Sequence, residues 1–286
     1  MGEEDWVAGE RARLVAAMDS YLEALTARDP SRLRLAPNLK ATDDTQAIPP
    51  GSGLWRTIRG RTPGGHYFVD VERGQVEHWG VIDENGRPAM LAARIKAGGR
   101  TIEEIETIVT RPGAFFNPDA LLEDASETFH RVLRPEERSS RAELERAVHI
   151  YFDAIERGDG SIIPVEGDCR RLVNGVTDSL DDPGRVPAGE EHRALPVARQ
   201  ITEGHYGYIE ALRDRRFPIM DVARGLVVCH VIFDHPGDLP RPGGDLPIAS
   251  PNSMLFTEIF KVVGGKIEEI WALGTNALPY GIASGW

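Results

Sequence analysis

Cysteine is nearly missing: the chain has two, Cys169 and Cys229, in 286 residues. That excludes a small scaffold stapled by disulfides. Neither residue sits in a Cys/His cluster of the kind that holds structural zinc, and no metal site is expected. Basic charge is also short. Against 45 Asp and Glu stand 33 Lys and Arg, a formal net charge of −12. Such a chain has no cationic excess to displace the counterions of a nucleic-acid backbone. No apolar run approaches the length of a bilayer span. The opening "MGEEDWVAGERARL" lacks a signal-peptide core and an acylation motif. The sequence therefore predicts a cytoplasmic protein with reduced thiols that binds neither nucleic acid nor membrane. It also lacks a Gly-rich nucleotide fingerprint and a Gly-x-Ser-x-Gly elbow, so neither a nucleotide cofactor nor a Ser–His–Asp triad is expected.

What the chain does contain is written twice. Apolar residues make up 41% and charged residues 27%, the balance of a globular protein. "YLEALTARD" at Tyr21–Asp29 matches "YFDAIERGD" at Tyr151–Asp159, an offset of 130 residues. "DVERGQVEHWGVID" from Asp70 matches "DVARGLVVCHVIFD" from Asp221, an offset of 151, and "IKAGGRTIEEIE" from Ile95 matches "FKVVGGKIEEIW" from Phe260, an offset of 165. The order is kept and the offset only grows, which implies insertions of 21 and 14 residues in the second half (151 less 130, and 165 less 151). "DDPGRVPAGEEHRALP" and "HPGDLPRPGGDLPIASP" are rich in the residues that break periodic structure, and they read as those insertions.

Each half opens with an amphipathic helix. Leu14, Met18, Tyr21, Leu22 and Leu25 recur at helical spacing, as do Leu144, Val148, Tyr151, Phe152 and Ile155. Ser140 followed by Glu143 has the spacing of a capping box. Each half closes with three long strands rich in Val, Ile, Phe and Trp, joined by Gly-containing turns. The expected fold class is α+β: two tandem cone-shaped barrel domains, each a curved antiparallel sheet around helices, forming a pseudo-dimer. The expected domains are residues 8–130 and 144–286, with 131–143 as linker.

Strand parity assigns faces. Val76, His78, Gly80 and Ile82 form one inner face, and Val227, Cys229, Val231 and Phe233 its counterpart. Leu91, Ala93, Ile95 and Ala97 also point inward, matched by Phe256, Glu258, Phe260 and Val262. Glu258 is thus a carboxylate on an apolar face, which needs a reason. Arg94 and Glu106 share the outer face as a cross-strand pair worth a few tenths of a kcal/mol, roughly 0.2–1. Trp79, His230 and Trp271 are also outward, where a sheet interface would bury them.

The paired "YxxxxxxxD" helices and the final "GGKIEEIW" hairpin resemble the nuclear-transport-factor-2-like, or SnoaL-like, superfamily. The ending "LPYGIASGW" resembles a domain of unknown function in the same group. The superfamily includes ketosteroid isomerases, polyketide cyclases, bacterial lyases acting on lignin-derived diaryl compounds, and binding domains. The ketosteroid isomerase likeness implies an oxyanion-binding Tyr eight residues before the helix-end Asp, which is Tyr21, and a general base at Asp43 in "APNLKATD". In the second half Tyr151 matches the Tyr, while Val173, with Asn174 beside it, falls at the acid's position. His78 on the inner face is the third candidate, a group able to carry a proton either way near neutral pH.

Trp55 in "GSGLW", and His205 and Tyr208 in "EGHYGYIE", are candidate binding residues with Tyr151, Asn174 and Glu258. Each also has an ordinary structural reading: a core Tyr, a turn-starting Asp, a hydrogen-bonded strand His. The expectation is a cofactor-independent acid/base lyase, by dehydration or retro-aldol cleavage, acting on a small apolar aromatic molecule, with the lignin-derived class implied by resemblance alone. An isomerase or cyclase, and a non-catalytic binding module, remain open, as does assembly into a homo-oligomer.

Overall fold

The computed structural model describes residues 3–113, 115–122 and 127–286. The chain divides into two units, Met1–Ala125 with Gly285–Trp286, and Ser126–Ser284. Both are α+β, each a curved sheet holding one long helix.

In the first unit, helix α1 (Glu3–Ala27) is followed by β1 (Leu35–Asp43), β2 (Gln46–Ala47), the single turn α2 (Leu54–Thr57), β3 (Ile58–Arg61), β4 (His66–Asp70), β5 (Gln75–Glu84), β6 (Arg87–Gly98) and β7 (Thr101–Thr110). The sheet order is β2-β1-β7-β6-β5-β3, with β4 also paired to β5. The second unit has α3 (Glu127–His130), α4 (Arg141–Arg157), β8 (Val165–Val173), β9 (Val176–Thr177), α5 (Val197–Thr202), β10 (Ala211–Asp221), β11 (Leu226–His235), β12 (Asn252–Val263) and β13 (Lys266–Gly274). Its order is β10-β11-β12-β13-β8-β9.

One pair in each sheet departs from the expected antiparallel arrangement: β1 runs parallel to β7, and β8 to β13. Those strands are joined through the rest of the unit, so no hairpin fixes their direction. Both final hairpins carry a register shift at equivalent places, Lys96/Ala97 and Lys261/Val262, where an extra residue bends the strand.

The helices form for the reasons written in the sequence. Ser140 and Glu143 cap α4 reciprocally, and Gly158 ends it in the left-handed region at φ 64°. Asp29 and Asp159 then each accept the backbone N–H two residues on, starting a short turn. The helical stripes are buried: Leu14, Met18, Tyr21, Leu22 and Leu25 in one core, and Leu144, Val148, Tyr151, Phe152 and Ile155 in the other. The inner strand faces assigned by parity line the same two cores. No helix among the described residues is long and apolar enough to cross a membrane.

The outer-face pair Arg94–Glu106 forms at 2.9 Å, but with side chains only 2% and 1% exposed. It is therefore not a surface pair worth tenths of a kcal/mol. Breaking it would leave a buried charge, at about 3–5 kcal/mol. Arg94 also donates to Glu104 at 2.8 Å and Gln75 at 2.6 Å, and its guanidinium lies 4.4 Å from the ring centre of Trp286. Trp79 and Trp271 are buried too, each donating its indole N–H to a Glu two residues back, Glu77 and Glu269.

Candidate functional site

The two sheets share a lateral row on the inner face. In the first unit it runs Asp43, Thr107, Ala93, His78. In the second it runs Val173, Ala272, Glu258, Cys229. Each unit thus carries a carboxylate in this row, on β1 in one and on β12 in the other.

In the first unit, Asp43 accepts the Leu54 N–H at 2.8 Å and the Thr107 hydroxyl at 3.1 Å. Burial pushes its carboxyl above the usual range, and those two hydrogen bonds pull the other way. Gly53 makes the approach of Leu54 possible. It sits at φ +58°, and a Cβ there would lie 2.3 Å from Asp43 Oδ2. Gly53→Ala is expected to cost about 1–3 kcal/mol through backbone strain and this clash. Chemical denaturation checks it, and an unchanged midpoint would show that the loop relaxes freely.

The Tyr21 hydroxyl is buried with no hydrogen-bond partner. Burial, and then the nearby Asp43 charge, raise its pKa far above the ordinary phenol. Trp55 packs edge-on against Tyr21, ring centres 5.8 Å apart. Tyr21, Asp43 and Trp55 are therefore brought together. His78 is not. It stands three strands from Asp43 in the sheet order, roughly 14 Å along the sheet at the usual spacing. It packs on Tyr67 at 4.6 Å. Burial, and then Arg61 and His66, lower its pKa to about 3. That leaves it neutral near pH 7, not the two-way proton carrier the sequence predicts.

The second unit gathers a different set. Glu258 is completely buried, and neither carboxylate oxygen has a partner. Burial raises its pKa to about 7, opposed by the Arg171 charge. The Tyr151 hydroxyl is likewise buried and unpartnered, and burial lifts its pKa well above the ordinary value. Its ring packs on Phe260 at 5.2 Å. Phe260 lies in the adjacent inner row, Arg171, Ile270, Phe260, Val227.

The sequence repeat does not single out Arg171. It is 3% exposed and ion-paired to Asp178 at 3.0 Å, and its Nε has no partner. It also donates to the Tyr206 hydroxyl, which lies 2.6 Å from Gln200 Oε1. Its parity, shared with Cys169 and Val173 in "CRRLV", was the available signal. The 130-residue offset puts Arg171 and Asp178 opposite Ala41 and Ile48, and the same backbone bond, Asp178 N–H to Arg171 O or Ile48 N–H to Ala41 O, links each pair.

The remaining candidates lie elsewhere. Asn174 is a left-handed turn residue at φ 49°, like its counterpart Asp44 at φ 45°. Its side-chain oxygen accepts the Gly274 N–H at 2.8 Å, as Asp44 accepts that of Val109 at 2.8 Å. It therefore anchors a strand instead of facing the core. His205 stacks on His192 at 4.8 Å in a surface cleft of about 730 Å³ that also takes in Arg241. Tyr208 is half-buried, stacked on His235 at 5.6 Å, and burial followed by the Asp178 charge raises its pKa. Cys169 and Cys229 are buried free thiols. Among the described residues, no group of three His, Cys, Asp or Glu could hold a metal ion.

A protein-family profile described as "Domain of unknown function (DUF8021)" matches residues 137–274. No curated protein matches the chain. Similar solved structures include a de novo designed protein with a curved β-sheet, at 17% identity and TM-score 0.31, covering 47% of this chain and 87% of that one. IdmH from Streptomyces antibioticus has 15% identity and TM-score 0.30, covering 46% and 91%. TsrD from Streptomyces laurentii has 16% identity and TM-score 0.31, covering 48% and 90%.

Proposed function

We propose that the protein is a cofactor-independent acid/base lyase whose working site is the second unit. The observation that carries this reading is Glu258, a carboxylate with no exposure and no partner on either oxygen. Such a group is costly to bury and is poised to exchange a proton near neutral pH. Tyr151 supplies an unengaged phenol that feels the Glu258 charge, able to donate to oxygen where negative charge develops. The surrounding core packs Phe152, Phe233, Phe256 and Phe260 together, with ring centres 6.4 Å apart for Phe152–Phe233, 5.8 Å for Phe152–Phe260 and 4.6 Å for Phe233–Phe256, an aromatic environment of the kind a small aromatic molecule favours. A base, an oxygen donor and a dry aromatic wall suffice for dehydration or retro-aldol cleavage of an aromatic carbonyl compound. The lignin-derived class implied by resemblance falls within this chemistry. In the first unit Asp43 already accepts two hydrogen bonds, so we assign that unit a subsidiary role. We read the shared caps, turns and inner row as the trace of an internal duplication.

The test is turnover of aryl β-hydroxy ketones, followed by release of the aldehyde or of water. Tyr151→Phe should lower kcat about 10²–10³-fold, the usual loss for one oxyanion donor, while the melting temperature holds because the lost hydroxyl bonds to nothing. Isomerised product without cleavage would point to an isomerase that shares the first proton transfer. Full activity in Tyr151→Phe would remove that residue from the chemistry, and no turnover of any member would leave a binding module.

A further inference from the structure

We propose that Arg171 is the oxyanion receptor of the second-unit site, and that its substrate is an uncharged carbonyl compound and not a carboxylate. The inference rests on the acid/base reading of Glu258 and adds the substrate class. Four buried polar atoms there lack partners: Arg171 Nε, the Tyr151 hydroxyl and both Glu258 oxygens. The guanidinium N–H can only donate, the ionised carboxylate can only accept, and the phenol can do either. A ligand satisfying all of them presents an acceptor oxygen to Arg171 and Tyr151, and a hydroxyl or acidic C–H to Glu258. A β-hydroxy carbonyl compound has that inventory.

The receptor is built rather than incidental. Arg171 Nη1 is held by Asp178 at 3.0 Å and by the Tyr206 hydroxyl. Gln200, fully buried, bonds Tyr206 at 2.6 Å and ties itself to the carbonyls of Asp178, His192 and Leu195 at 2.6, 2.9 and 3.2 Å. The fold does not demand this ion pair, since the first unit reaches the same local backbone bond with Ala41 and Ile48.

Charge decides the substrate class. Asp178 already offsets Arg171, so a bound carboxylate would add an uncompensated negative charge to a dry site that also holds Glu258. A neutral substrate adds none. In the retro-aldol step, ionised Glu258 takes the β-hydroxyl proton, the Cα–Cβ pair moves onto the carbonyl oxygen as an enolate at Arg171, and the aldehyde leaves. Protonated Glu258 then returns the proton to Cα. In dehydration Glu258 takes the Cα proton, the same oxygen holds the charge, and hydroxide departs with the proton as water. Net charge is constant, and it moves toward the guanidinium.

The experiment uses the full chain and three probes. Acetophenone and benzoate have similar size, and at pH 8 the ketone should bind at least about tenfold more tightly, the ratio for one unfavourable charge contact. 2-Naphthol, a weaker acid, added at pH 8 where the free phenol is protonated and Glu258 is ionised, should show the phenolate absorbance band on binding as its proton passes to Glu258. In Arg171→Met/Asp178→Asn, which removes both charges together, the bound phenol should keep its neutral spectrum. Benzoate binding as tightly as acetophenone would overturn the proposal, as would a phenolate band that persists in the double variant. Should that variant fail to fold, the ketone-to-carboxylate ratio on the native protein decides alone. Turnover surviving in Glu258→Gln is a separate outcome, and it would sink the acid/base reading beneath.

Discussion

Glu258→Gln is expected to cut turnover sharply and, at pH 8, to make the protein more stable. The two effects share one cause. Burial lifts the Glu258 carboxyl from its ordinary 4.5 to about 7, so the folded state holds a proton that the unfolded chain releases earlier. With a raised folded pKa, the stabilising contribution is complete below about pH 4.5 and is lost as pH rises through 7. At pH 8 the ionised form therefore costs about 3 kcal/mol. Gln mimics the protonated acid and removes that penalty, so the variant should melt several degrees higher, roughly 6–12 °C for a unit of this size. At pH 4, below both values, the two proteins should melt nearly together. Loss of the base should lower kcat by about 10²–10⁴-fold. Melting curves across pH with a turnover assay test both halves. A constant Tm difference from pH 4 to pH 8 would mean that Glu258 does not titrate as described, and undiminished turnover would remove it from the reaction.

Arg171→Met is expected to be among the most destabilising single changes in the second unit. It strips the cation from a buried pair and leaves Asp178, beside Tyr206 and Gln200, as an unmatched charge. Losing one partner of such a pair costs about 3–5 kcal/mol. Asp178→Asn should cost a similar amount by stranding Arg171. The two together should recover most of the loss, because both charges leave at once and the first unit folds around Ala41 and Ile48 at the matching positions. Chemical denaturation of the two single variants and the double variant closes the cycle, with an expected coupling above about 2 kcal/mol. Strictly additive losses would show that the two groups do not compensate each other.

How far the sequence could be read depended on which signals are periodic. Helical spacing brought Tyr21 and Tyr151 inward, and strand parity put Glu258 among Phe side chains, since both patterns repeat along a regular element. Parity names a face but not a place around a curved sheet, and so His78 lies on the inner face yet three strands from Asp43. Strand direction leaves no mark in alternation, which hid the parallel pairing of β1 with β7 and of β8 with β13. Asn174 follows the inner-facing Val173 in sequence, while its positive φ gives it the turn-anchoring task of Asp44. Arg171 had readable parity but no counterpart in the first half to draw attention to it. Asp178, Gln200 and Tyr206 come from β9's exit, the short α5 and the segment after it, where no repeat guides the eye.

Trp286 ties the first unit to the far end of the sequence. Its indole N–H donates to the Thr42 hydroxyl at 2.9 Å, and its ring meets Lys40 and Arg94 at 4.1 and 4.4 Å. During synthesis the first sheet is complete once β7 is made, while this clasp is added only after the whole of the second unit. At ordinary translation speed the ribosome needs on the order of ten seconds to make the intervening stretch. For that interval a nascent chain presents an unclasped Arg94 flank, so ribosome-stalled chains ending before Trp286 should be cut by protease there sooner than the released protein.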